Sequence, residues 1–274
     1  MSTEFVSLIT TAAKAYRYGL GLQNNGSSPN DTMDFLAGEC VDDTGKFLMV
    51  LGSTFTKSLA STWAVGSGNG GLDAGSLSPN TTYHGFLIRK KSDGSRDGLW
   101  STSATSPALP TGWTAKKRLG ACMTDGSGHI LPCRWRGRRV YFKDVQVPIE
   151  NVQISGVGAL YALAGPVGIK HLVFGVLNPG LAYVPVNESG LAVAILSHDQ
   201  NYQVVGAFNP ATYQFRGLVG GYYTVTAAWA SSSFFDGIEA NASAQVKMIR
   251  GGSYDGSDGS TVQQLGWEEL EDGI

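Results

Sequence analysis

Lys116-Lys117-Arg118-Leu119-Gly120-Ala121-Cys122-Met123-Thr124-Asp125-Gly126-Ser127-Gly128-His129-Ile130-Leu131-Pro132 decides the fold class. Residues 116–123 alternate, with Leu119, Ala121 and Met123 on one side and Arg118, Gly120 and Cys122 on the other. A period of two is that of a strand, and Asp125-Gly126 supplies the positive-φ positions of a tight turn before the next strand. Outward from this hairpin the same grammar repeats. Strands are predicted at 33–36, 47–54, 82–89, 98–101, 116–123, 130–135 and 139–143, with Asp93-Gly94 and Arg136-Gly137 as further turns. A second run is predicted at 151–157, 169–176, 191–196, 203–208, 213–218, 222–228 and 244–249. In its sixth member Tyr223, Val225 and Ala227 alternate with Tyr222, Thr224 and Thr226.

The composition agrees. Charged residues are 15% of the 274 and Gly contributes 37, so short strands with many turns fit better than helices, which need more Ala, Leu, Glu and Lys. The predicted class is all-β, as one or two antiparallel, jelly-roll-like β-sandwiches with a short N-terminal helix. Phe5, Leu8, Ile9, Ala12, Ala13 and Tyr16 recur at helical spacing, and Ser2 or Thr3 caps that helix. The expected division is a docking segment at 1–20, a first sandwich at 21–146 and a second at 147–274, with the Val-Pro stretch at 145–149 as separator. Residues 251–260, rich in Gly, Ser and Asp, read as a loop and 268–272 as an acidic end.

Several function classes lose support. A net charge of −2 gives no global electrostatic case for nucleic acid, and no apolar run reaches a membrane-spanning length. No leader peptide is expected. Cys40, Cys122 and Cys133 are an odd number without close spacing, so buried thiols are expected rather than a zinc site or disulfide framework. Gly66-Ser67-Gly68-Asn69-Gly70-Gly71 satisfies Gly-x-Gly-x-x-Gly, but the Leu72-to-Pro79 sequel cannot open the helix that a pyrophosphate site needs. A turn is expected there. His84, His129, His171 and His198 lack ligand spacing, and no serine sits in a nucleophile elbow. Glycan cleavage needs two carboxylates across a groove. Asp73, Asp93, Asp97, Asp125, Asp144, Glu150, Glu188, Asp199, Asp236 and Glu239 are available, most of them beside turn residues. No catalytic, cofactor or metal residue is assigned.

Two groups remain as candidate surfaces. Lys116, Lys117, Arg118, Arg134, Trp135, Arg136, Arg138 and Arg139, with Trp113 and Tyr141 interleaved, make one basic, aromatic patch if their strands pair. Such a patch fits acidic polysaccharide, phosphate or an acidic protein face, against the alternative of charges that protect a sheet edge. Phe5, Leu8, Ile9, Ala12 and Tyr16 are the candidate docking face.

The stretch from Tyr83 to Pro132 also resembles a block of a family of tailed-bacteriophage virion proteins of the tail-fibre or minor structural type. The resemblance rests on Tyr83-His84, then Thr102-Ser103-Ala104-Thr105-Ser106-Pro107-Ala108-Leu109-Pro110-Thr111-Gly112, Arg118-Leu119-Gly120 and the Asp125-Gly126-Ser127-Gly128 turn. Asn24-Asn25 with Ser28-Pro29-Asn30, Trp63-Ala64 with Gly66 to Asp73, and Gly266-Trp267 extend it. The first twenty residues lie outside it, and from 147 to 261 the likeness is of composition and strand rhythm. The resemblance implies a non-enzymatic virion component, a tail fibre, spike or other tail part, made in the bacterial cytoplasm. Its implied partners are other phage virion proteins and copies of itself, a trimer being favoured, and possible contact with host-surface polysaccharide. The alternatives are a receptor- or carbohydrate-binding module, a capsid decoration or head-fibre protein, and, more distantly, a glycan depolymerase. No membrane insertion is implied.

Overall fold

A computed structural model describes residues 13–154, 158–178, 191–199, 223–227, 233–251 and 259–270. Nearly all of these are strands and turns, and the chain divides between Arg138 and Arg139 into two compact units. The fold is all-β and sandwich-like.

The first unit contains β1 (Arg17–Gly19), β2 (Leu22–Asn24), β3 (Thr32–Phe35), β4 (Gly38–Val41), β5 (Leu48–Leu51) and β6 (Phe55–Thr62). It continues with β7 (Asn69–Leu72), β8 (Thr82–Lys90), β9 (Arg96–Ser101), β10 (Trp113–Met123) and β11 (Cys133–Arg136). A seven-stranded sheet runs β10-β8-β9-β7-β6-β3-β2 and a three-stranded sheet runs β1-β4-β5. They share one core, in which Cys40, Met49 and Leu51 of the small sheet meet Met33, Phe35, Leu59, Tyr83 and Trp100 of the large one. Burial of such side chains, each worth about 1.5–3 kcal/mol, is what joins the layers. On part of the large sheet Phe86, Ile88, Leu99 and Trp113 form a second apolar cluster, packed against Trp63 and Leu109.

Three expectations need correction here. The large sheet is mixed, because β7 is parallel to both β6 and β9. The Gly-x-Gly-x-x-Gly stretch is therefore a turn that runs directly into a strand, with Asn69, Gly70 and Gly71 inside β7. The simple alternation of 116–123 is also broken. A register shift between Arg118 and Gly120 lets Leu119 and Cys122 share the core although their spacing is odd. Finally, residues 17–19 belong to β1 and pair with β4, so this part of the expected docking segment is sheet. Ala13 to Ala15 are helical, and Phe5, Leu8, Ile9 and Ala12 lie outside the described residues.

The second unit contains β12 (Arg139–Val152), β13 (Ala159–Ala162), β14 (His171–Asn178) and β15 (Leu191–Leu196). It ends with β16 (Tyr223–Ala227), β17 (Ser233–Ala240), β18 (Gln245–Gly251) and β19 (Ser260–Glu269). One sheet carries β12-β19-β14-β17 in order and the other β13-β18-β15-β16. Ile149, Val173, Leu177, Phe235, Ile238 and Val262 of the first pack on Val193, Ile195, Val246 and Met248 of the second. Residues 145–149, read from sequence as a separator, lie inside β12, and Ile149 is in this core. Pro148 is tolerated there because β12 is irregular between Gln146 and Ile149, where no ladder donor is required. The strands read at 203–208 and 213–218 lie outside the described residues.

Candidate functional site

The basic residues do not form one paired surface. Lys116, Lys117 and Arg118 lie on β10, which pairs with β8, while Arg134 and Arg136 lie on β11. β11 is tied to β2, through the Cys133 N–H donated to Asn24 Oδ1 at 2.9 Å. Lys116 Nζ is 2.6 Å from Asp43 Oδ2 and Lys117 Nζ 3.8 Å from Asp43 Oδ1, so one turn carboxylate offsets both. Arg139 donates to Glu268 (2.8 Å) and to both oxygens of Asp236 (2.8 and 2.9 Å), and its guanidinium lies 5.1 Å from the Phe174 ring. Those two carboxylates raise its pKa further. Of the interleaved aromatics, Trp113 is buried edge-on to Trp63 and Trp135 packs partly buried on the first core. Arg134, Arg136 and Arg138 are exposed.

Several of the carboxylates named for glycan cleavage are engaged by backbone N–H groups or by cations. Asp125 accepts from the N–H groups of Ser127 and His129, and Asp93 from the N–H and hydroxyl of Ser95. The His129 backbone N–H holds Asp125, and the Ser95 hydroxyl and N–H hold Asp93, below the ordinary carboxylate range. Asp73 accepts from Ala108 N–H, and Glu239 pairs with Lys170 at 3.0 Å. Glu188 lies outside the described residues. Among the described residues no group of three or more His, Cys, Asp and Glu is placed to hold a metal ion, and no helix is long and apolar enough to cross a membrane.

Two arrangements stand out that sequence reading missed. The first is the outer face of β1-β4-β5. The register aligns Tyr18, Glu39 and Val50 in one row across the sheet, and Val41 lies opposite Leu48 in the next. Tyr16 joins that second row, because its carbonyl accepts the Val41 N–H. Tyr18 is 74% exposed, Leu48 51%, Tyr16 42% and Val50 41%. Cys40 and Met49, on the alternate positions, point into the core. An outward sheet face is usually polar, whereas the single carboxylate here, Glu39, is taken up by the Tyr16 hydroxyl. Contiguous exposed apolar faces mark contact surfaces. The signal was present in Leu48-Met49-Val50-Leu51, where both parities are apolar.

The second is a buried ion pair. Lys57 on β6 and Asp97 on β9 approach to 2.9 Å (Nζ–Oδ1), with side chains 0% and 1% exposed. Lys57 Nζ also donates to the carbonyls of Ala64 (2.6 Å) and Gly70 (3.3 Å), and lies 5.3 Å from the Trp63 ring. Asp97 accepts the N–H groups of Gly66 (2.8 Å) and Gly98 (2.7 Å). The pair thus pins the glycine-rich turn onto the large sheet. The lysine stem has room because two neighbours lack side chains. A Cβ on Gly71 would meet Lys57 Cβ at 3.0 Å, and one on Gly98 would meet Phe35 Cε2 at 2.8 Å and Lys57 Cγ at 3.1 Å. Gly98→Ala is accordingly expected to cost about 1–3 kcal/mol of stability by overpacking. A urea midpoint equal to that of the parent chain would show that this channel has slack.

No family model, curated protein or solved structure matches the chain.

Proposed function

We propose that the chain is a non-enzymatic structural protein of a tailed-phage virion, a fibre, spike or other tail component that works by assembling with copies of itself. The observation that carries this reading is the apolar outer face of β1-β4-β5, with Tyr16, Tyr18, Leu48 and Val50 exposed in register. The occupant proposed for it is a second copy of the chain. The face carries a single charge, Glu39, hydrogen-bonded to the Tyr16 hydroxyl, too little to select a strongly charged partner, and the 20 basic and 22 acidic residues nearly cancel overall. Apolar, flat faces of this kind associate through area removed from water rather than by charge steering. The sequence resemblance supplies the virion setting and the trimeric expectation.

The test is light scattering coupled to size exclusion. The wild-type chain is expected to run as a trimer. Leu48→Glu and Tyr18→Glu, both at exposed positions, are expected to weaken association at least tenfold while leaving the β-sheet circular dichroism unchanged, as truncation of central interface anchors does. A monomeric wild type at all concentrations, or a glutamate variant that associates like the parent, would contradict the assembly role given to this face.

A further inference from the structure

The geometry points to a self-catalysed covalent cross-link between Lys57 and Asp97, an amide formed inside the first unit with loss of one water. Four observations carry it. The reacting groups are in contact, with Nζ 2.9 Å from Oδ1, and both side chains are shut off from solvent. Neutral lysine has two N–H bonds and one lone pair. The carbonyls of Ala64 and Gly70 take the two hydrogens, which leaves the lone pair facing the carboxyl group. The carboxyl is held by two backbone donors, Gly66 N–H on Oδ2 and Gly98 N–H on Oδ1, which stabilise negative charge as it develops on oxygen during attack. Phe55 and Trp63 lie over the amine at 5.5 and 5.3 Å, giving an apolar wall in which proton transfer from ammonium to carboxylate removes two opposite charges at once.

Burial pushes the Lys57 ammonium below its ordinary range, against the hydrogen bond and charge of Asp97, which pull it up. The remaining steps balance without any further reagent. A proton passes from Nζ to Oδ1, and the freed lone pair attacks Cγ to give a tetrahedral centre. A second proton then follows from nitrogen to the departing oxygen. The Cγ–Oδ1 bond breaks and Oδ1 leaves as water, while Oδ2 stays on the Gly66 N–H as the amide carbonyl. Fixing both partners within contact distance removes the entropic part of the barrier to amide formation. The product ties β6 to β9 across β7, a staple suited to an all-β chain whose three cysteines form no disulfide.

Mass spectrometry of the intact, denatured full-length chain tests the cross-link, followed by digestion. The expected result is a chain lighter than its sequence by one water, and a branched peptide joining the segment containing Lys57 to that containing Asp97. Asp97 precedes Gly98, a sequence that can also lose water by closing on its own backbone, so the branched peptide is the deciding species. Lys57→Arg should restore the full sequence mass. A wild-type chain at full sequence mass, a water loss without the branched peptide, or a loss that persists in Lys57→Arg would each overturn the assignment.

Discussion

Relative to the ion-paired chain before any cross-link forms, Asp97→Ala is expected to destabilise the first unit by about 3–5 kcal/mol, the range found when one partner of a buried ion pair is removed. The cost has a specific origin. Lys57 stays fully buried between β6 and β9, and the change takes away its anion while leaving only the carbonyls of Ala64 and Gly70. It also strands the N–H groups of Gly66 and Gly98, so the glycine-rich turn loses its anchor. Lys57→Met with Asp97→Ala together should recover much of the loss, because a neutral side chain of similar length fills the same channel without an unpaired charge. Urea titration of the single and double variants, neither of which can form the cross-link, measures this. Equal destabilisation by the single and double variants would mean that lost packing, and not the uncompensated ammonium, sets the cost.

The second unit should lose about 3 kcal/mol of stability as pH falls from 6.5 to 4, through His171. Burial lowers its pKa from 6.5 to about 4, opposed by the Ile169 carbonyl and the charge of Glu269. Its Nδ1 lies 3.3 Å from the Ile169 carbonyl oxygen, and Nε2 is buried without a partner. The unfolded chain therefore binds a proton between pH 6.5 and 4 that the folded chain refuses. A gap of about 2.5 pKa units at about 1.4 kcal/mol each gives the magnitude. The stability is complete above pH 6.5 and fades as the pH drops through that window. His171→Leu should remove this slope, whatever its effect at pH 7, and urea midpoints at pH 7 and 4.5 would show it. An undiminished slope in the variant would assign the acid loss to other groups. Asp42 in the first unit acts lower. Burial raises its pKa, but the Thr44 hydroxyl and the N–H groups of Phe47, Lys46 and Thr44 outweigh that and hold it below 3.8. Its stabilising share is lost only as pH falls below that value.

What could be read from sequence divides along physical lines. β8, β9, β10 and β15 were legible because each carries a cluster of apolar residues bounded by turn residues, and residues 191–196 were placed at both ends. β1, β2 and β4, at three or four residues, are too short to show a period, and β7 is masked by its own glycines. β12 was cut in two because Pro148 reads as a break, whereas an irregular register lets the strand continue past it. The single basic patch was conditional on a pairing that the sheet order does not make. It required β10 to pair with the next strand in sequence, and β10 pairs backward with β8 instead. Lys57 carried a faint signal, since it shares the inward parity of Leu59, but nothing in the sequence joins it to Asp97 before the sheet order is known.

The most direct measurement of the proposed role is quantitative mass spectrometry of gradient-purified phage particles from a host in which the gene is expressed. A structural component is expected in a fixed copy number per particle, retained through high-salt washing and co-purifying with the tail fraction. A chain recovered only in the soluble lysate, absent from infectious particles, would contradict the virion assignment outright.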